Sequence, residues 1–190
     1  MKKRGSNIVK LDFKTAFKYP FNRVKGLWNI LWILLPIIGW FALGGYAIKI
    51  VQEFSKGKFK KLPIFKFSSD FKLGFFMFLK AIPFILVYSA FILILVKINP
   101  LFGVVRIFTE IFAIPILFIH FINKETVGSF FEFKIIKSVL DNLGDYILAL
   151  LKSILLSIIF FIMIIVLVGF PAGAFTKSIF LADFYRRKVK

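Results

Sequence analysis

Arg106 and Glu110 stand at i and i+4 within the apolar run 102–122. On a helix that spacing puts guanidinium and carboxylate on one face. Ionisable side chains inside a bilayer are costly, so the pair is a candidate intramembrane polar site by default. Two roles fit: a self-neutralised pair near the outer surface, which is the favoured reading, or a polar site in the interior of a helical bundle. Lys80 and Lys152 lie about two turns in from the ends of their runs, close enough for a long stem to carry the ammonium back to the surface. His120 is the one histidine. With no cysteine and no carboxylate beside it, a position at head-group level is expected and a metal site is not. Ser153 and Ser157 are one helical turn apart and suit bonds to a backbone carbonyl or a neighbouring helix. Gly39, Gly44 and Gly45 permit close helix approach.

No nucleophile–base set, paired carboxylates, phosphate-cradling glycine loop or metal-ligand spacing is present. The chain has no Cys, which removes disulfides, thiolate metal sites and a cysteine nucleophile. An enzyme is therefore disfavoured, and no cofactor is expected.

The elements that must carry these residues are long apolar runs. Hydrophobic residues make up 59% of the 190, with 28 Phe, where soluble domains are nearer 45–50%. Several runs exceed the roughly 18 residues that mark a membrane helix. The expected fold is all-α: a polytopic transmembrane bundle of about six helices in three hairpins, with four full spans plus interfacial helices as the alternative. The spacing divides the chain into a basic interfacial segment (1–26), a first broken helix or hairpin (27–55), a basic interfacial linker (56–72), a second hairpin (73–122), an amphipathic cytoplasmic segment (123–145), and a third hairpin with a basic C-terminus (146–190). The stretch 11–21 suits the head-group layer, with Phe13, Phe17, Tyr19 and Phe21 turned to lipid and Lys14 and Lys18 outward. In 123–145, Phe130, Phe131, Phe133, Ile136, Leu140 and Leu143 recur at helical spacing.

Breaks interrupt the runs at Pro36 and Gly39, at Pro100 and Gly103, and at Gly169 and Pro171. An acid-Phe-Lys triplet precedes each interrupted region: Asp12-Phe13-Lys14, Asp70-Phe71-Lys72 and Glu132-Phe133-Lys134. Internal periods of this kind point to repeated units, although such triplets also arise by chance in a chain rich in Phe and Lys.

Charge placement favours hairpins. The formal charge is +18, from 27 Lys+Arg against 9 Asp+Glu. With all three breaks on the outer face, 21 of the 27 basic residues fall on the cytoplasmic side, and only Lys97 falls outside, as the positive-inside rule asks. A single crossing by 27–50 would instead place the six lysines of 56–72 outside. The weak point is length: about 12 residues rise only about 18 Å, so the first hairpin is expected to be re-entrant or tilted.

Ala16-Phe17-Lys18-Tyr19-Pro20-Phe21, then Leu35-Pro36-Ile37-Ile38-Gly39-Trp40, Gly45-Tyr46 and Leu62-Pro63 resemble, in that order, the N-terminal signature of the domain of unknown function 4013 family. The resemblance covers about the first 75 residues and implies a small multi-span membrane protein with a helical fold. It implies no activity and no catalytic residues.

The expectation is an integral protein of the cytoplasmic membrane, both termini inside, acting without catalysis as a scaffold or accessory subunit. Its partners would be anionic lipid or a membrane or cytoplasmic protein, met through a basic, Phe-rich collar that includes Lys56, Lys58, Lys60 and Lys61. Each basic residue held near an anionic surface contributes about 1 kcal/mol. Nucleic acid is not expected, because the aromatics lie in apolar runs and not in a polar groove. The alternative is a small permease or channel built around Arg106 and Glu110.

Overall fold

A computed structural model describes residues 10–190. Every regular element among them is helical. Asp12 starts α1 (Phe13–Lys18) by accepting the Thr15 N–H at 2.8 Å and the Thr15 hydroxyl at 2.5 Å. These bonds hold its carboxyl below the usual range. Pro20 then shapes a 3-10 turn, Tyr19–Arg23, followed by the short α2 (Val24–Leu27) and a second 3-10 segment, Trp28–Leu34.

The rings of 11–21 do not face lipid as expected. Phe13 stacks on Phe180 at 5.9 Å, Phe17 stacks on Phe160 at 5.6 Å, and Tyr19 is buried edge-on to Phe54 at 4.6 Å. Aromatic partners from three other helices offer these rings closer packing than a head-group layer would. Lys14 and Lys18 do point outward.

Pro36 and Gly39 flank a sharp reversal. Ile38 donates to the Pro36 carbonyl at 2.7 Å across Ile37, whose φ of 64° and ψ of −65° make a γ-turn that β-branched residues rarely adopt. Gly39 is required there, since a Cβ would lie 1.7 Å from the Trp32 carbonyl oxygen. The chain continues as α3 (Ile38–Phe54), which crosses α4 (Phe67–Ile98).

Asn99 accepts the Leu101 N–H at 2.9 Å and opens a 3-10 turn, Pro100–Phe102. From Gly103 the chain returns through α5 (Gly103–Phe108), a π-helical turn (Thr109–Ala113) and α6 (Ile114–Lys124). Glu125, left-handed at φ 56°, ends α6. A 3-10 turn at Val127–Phe131 and α7 (Lys134–Leu140) lead into α8 (Leu143–Ile162).

In 123–145 the packed positions are Phe130, Ile135 and Val139, whereas Phe131, Phe133, Leu140 and Leu143 stay exposed. The expected single stripe is split because a 3-10 turn and a helix advance the side chains by different angles.

The third reversal also falls earlier than expected. It sits at Leu167, left-handed at φ 59°. Gly169 and Pro171 lie in the first turn of α9 (Gly169–Thr176), where a proline costs no helical hydrogen bond. A further joint at Lys177 and Ser178 separates α9 from α10 (Ile179–Lys188).

Among the described residues three helical stretches are long and apolar enough to cross a membrane: Phe67–Ile98, Pro100–Lys124 and Leu143–Ile165. Their outer faces carry exposed Leu86, Leu93, Ile94, Ile158 and Phe161. Apolar surface on that scale suits acyl chains and not water. The aromatic-rich core lies where α3, α6, α8 and α10 meet, around Tyr46, Phe54, Phe121, Tyr146, Phe160 and Phe184.

Candidate functional site

The basic linker folds as a strap held down by side chains from earlier in the chain. Asn22 donates to the Lys60 carbonyl at 2.7 Å, Arg23 to the Leu62 carbonyl at 2.8 Å, and Tyr46 to the Pro63 carbonyl at 3.1 Å. Lys49 donates to the Ile64 carbonyl at 2.9 Å and pairs with Asp70. Asp70 is buried and also accepts the Lys66 N–H at 2.8 Å, which fixes the start of α4. A strand-like segment with no ladder partner thereby has its carbonyls satisfied, and its lysines are left for solvent.

Between this strap and α3 lies a cavity of 760 Å³. Among the described residues Arg23, Lys49, Lys58, Lys60, Lys61 and Lys66 line it, with Glu53 as the one acid. Lys58, Lys60, Lys61 and Lys66 are exposed. Lys56 is exposed too but lies outside the cavity. Phe59 supports the far side, where the Arg186 guanidinium stands 4.9 Å over its ring.

An ionic clamp ties both ends of the described chain together beside the start of α8. Asp183 is buried, accepting the Leu11 N–H at 3.2 Å and bonding Arg186 at 2.6 Å and Arg187 at 2.9 Å. Asp145 meets Lys10 at 2.9 Å, Lys188 at 3.3 Å and Arg187 at 3.5 Å.

The other residues singled out are dispersed. Arg106 and Glu110 pair at 2.8 Å on an exposed face, and neither lines either of the two large cavities. Lys80 reaches the Glu125 carbonyl at 2.9 Å, across the end of α6. Lys152 stands 5.8 Å over the Phe180 ring. Ser157 is exposed, and the buried Ser153 hydroxyl has no hydrogen-bond partner among the described residues.

Contrary to expectation, a carboxylate stands beside His120. The histidine is buried, its Nδ1 is 2.7 Å from the Tyr185 hydroxyl, and its Nε2 is 3.3 Å from Glu132, out of line for a hydrogen bond. That carboxylate comes from 12 positions further along the chain, folded back by the turn after α6. Among the described residues no group of three metal-ligating side chains forms.

A second cavity of 640 Å³ is lined mostly by apolar side chains of α3, α4, α6 and α9.

No curated protein and no solved structure matches the chain. A family model does, described as protein of unknown function (DUF4013) and covering residues 29–169. That match spans the reversal at Pro36, the strap and all three apolar helices long enough to cross a bilayer, and the chain belongs to this family.

Proposed function

We propose that the chain is a non-enzymatic membrane scaffold or accessory subunit that holds anionic lipid head groups on its cytoplasmic face. The cavity under the strap carries the reading. Among the described residues six basic side chains against one acid face a single space of 760 Å³, a field that attracts phosphate and repels cations. Arg23 and Lys49 are already committed to strap carbonyls, so Lys58, Lys60, Lys61 and Lys66 are the groups offered to a ligand.

The accompanying topology places three hairpins in the membrane and both termini inside. Its supports are the distribution of Lys and Arg, the reversals at Ile37 and Leu167, and the meeting of Lys10 and Lys188 on Asp145. Ser68 is exposed at the head of α4. In a Ser68→Cys chain, which has no competing cysteine, an impermeant thiol reagent should label only after the cells are opened. Labelling of intact cells would overturn the inside placement of the strap.

The head-group reading is tested with dihexanoyl phosphatidylglycerol, whose short chains report the head group. It should raise the melting point of the detergent-solubilised protein, more at low salt than at 0.5 M, where the Debye length falls to about 4 Å. Lys58→Gln/Lys60→Gln/Lys61→Gln should abolish the shift. An unchanged shift removes the proposal. Loss of an acidic protein partner with retention of the lipid shift would assign the strap to protein contact.

A further inference from the structure

We propose that the apolar groove between α3 and α4 binds one acyl chain of an individual anionic phospholipid, with Lys177 engaging its head group. Trp40, Gly44, Ala47 and Val51 form one stripe of α3, and Met77, Ala81 and Ile85 the facing stripe of α4. Each stripe follows the three-or-four-residue spacing of a single helical face. Phe121 and Ile122 of α6 close one wall, and the joint of α9 and α10 brings Lys177 and Ser178 to the edge. The enclosed 640 Å³ lies within the usual range for a ligand pocket, about 300–1,000 Å³.

Two adjacent glycines mark the space as built. Gly45 must be glycine because α4 presses against it, with the Asp70 carbonyl oxygen 1.8 Å from where a Cβ would be. Gly44 has no such reason. No described residue lies within 4 Å of its absent Cβ, and its φ is ordinary. A glycine in a helix interior is unfavourable unless its missing side chain serves something. Here the missing side chain leaves the groove open.

The occupant follows from charge and surroundings. The groove is lined by helices of a chain with three bilayer-length apolar stretches, so acyl chains are what lies beside it. Among the described residues Lys177 is the sole charged side chain lining it, and no carboxylate does. That combination selects an alkyl chain carrying a negative end. The groove shares no lining residue with the basic cavity, so this inference does not rest on the head-group reading.

Delipidated protein in micelles is mixed with a few equivalents of dioleoyl phosphatidylglycerol and examined by native mass spectrometry. With the basic cavity emptied by Lys58→Gln/Lys60→Gln/Lys61→Gln, one lipid should be retained per chain, held by the groove. In that background Gly44→Leu and Ala47→Leu should each lower occupancy at least tenfold, and Lys177→Gln should cut the preference over dioleoyl phosphatidylcholine about fivefold. Lipid-free melting points separate loss of binding from loss of fold. In a Trp28→Phe/Trp32→Phe chain, one equivalent of phosphatidylglycerol with brominated acyl chains should quench Trp40, a readout that needs no change in the groove. Full occupancy in both leucine variants, or no quenching, overturns the proposal. So does displacement of the phospholipid by equimolar oleate, which would assign the groove to free fatty acid. A dimer that Gly44→Leu abolishes would assign it to a second copy of the chain and overturn it as well.

Discussion

The Tyr146 hydroxyl donates to the Ile111 carbonyl at 3.1 Å. In a regular helix that carbonyl would accept from residue 115, which is a proline with no N–H. A π-helical turn, Thr109–Ala113, precedes the proline and widens the helix. Tyr146 thus supplies from α8 the donor that the helix lacks, and joins two of the three bilayer-length stretches. Tyr146→Phe should cost about 1–2 kcal/mol, the penalty of a polar group left unpaired away from water. Pro115→Ala restores a backbone donor, so the cost of Tyr146→Phe should shrink by half or more in its presence. Thermal melts of the four chains in one detergent give the coupling. Additive effects would mean that the hydroxyl does not answer the proline.

The crossing of α3 and α4 gives a sharper contrast. A Cβ on Gly45 would lie 1.8 Å from the Asp70 carbonyl oxygen, and one on Gly74 would lie 1.9 Å from that of Phe41. Both obstacles are backbone and can move only with their helices. Gly45→Ala and Gly74→Ala should each cost at least about 3 kcal/mol, the upper end of the range for overpacking. Gly44→Ala should be neutral or stabilising by up to about 1 kcal/mol, through helix propensity alone. Adjacent glycines with opposite responses in the same melting assay would confirm the close crossing.

Much of the fold was legible as punctuation. The apolar runs announced the long helices, and Pro36 with Gly39 announced the first reversal. The acid of each acid-Phe-Lys triplet stands at a helix start: Asp12 caps α1, Asp70 bonds back to the Lys66 N–H, and Glu132 precedes α7. Acids suit that position because helix N-termini carry unpaired N–H groups and a positive partial charge. Other features left no local sign. Leu167 turns left-handed although leucine disfavours it, while Gly169 and Pro171 drew attention two positions too late. Asp183 and Leu11 are 172 positions apart, and the His120, Glu132 and Tyr185 cluster needs three separate elements. Side-chain direction also escaped the pattern: a ring alternating with lysines reads the same whether it faces lipid or protein. Of the candidate site, the lysines were visible, but the strap that turns them onto one cavity depends on Asn22, Arg23 and Tyr46.

The clamp at Asp183 should govern release of the N-terminal segment. Its carboxylate holds the Leu11 N–H and two guanidinium groups while only 2% exposed. Asp183→Asn keeps the shape but removes the buried charge that Arg186 and Arg187 share. The cost should be about 3 kcal/mol, as for breaking a buried ion pair. Trypsin should then cut after Lys14 or Lys18 much faster than in the parent, with cuts in the exposed strap little changed. Equal rates at both places would show that Asp183 does not anchor the segment.

Tyr19 links the same segment to alkaline pH. Its ring is fully buried, and its hydroxyl has no hydrogen-bond partner among the described residues. Burial, reinforced by the nearby Glu53 carboxylate, raises its pKa well above the ordinary value of 10. The sign follows from which state holds the proton. Below pH 10 the phenol is neutral in both folded and unfolded chains, and its contribution is constant. Above pH 10 the unfolded chain ionises first, so stability falls as pH rises, by up to about 1.4 kcal/mol per pH unit from this one group. Tyr19→Phe removes that loss. At pH 7 the variant should be neutral or up to about 1 kcal/mol more stable, since no hydrogen bond is given up. Between pH 10 and 11.5 its advantage over the parent should widen steadily. Lysines and the other tyrosines titrate in both chains and cancel in the difference. A difference that stays flat across that range would mean that the Tyr19 hydroxyl ionises in the folded protein as readily as in the unfolded one, and that the N-terminal segment is open to water there.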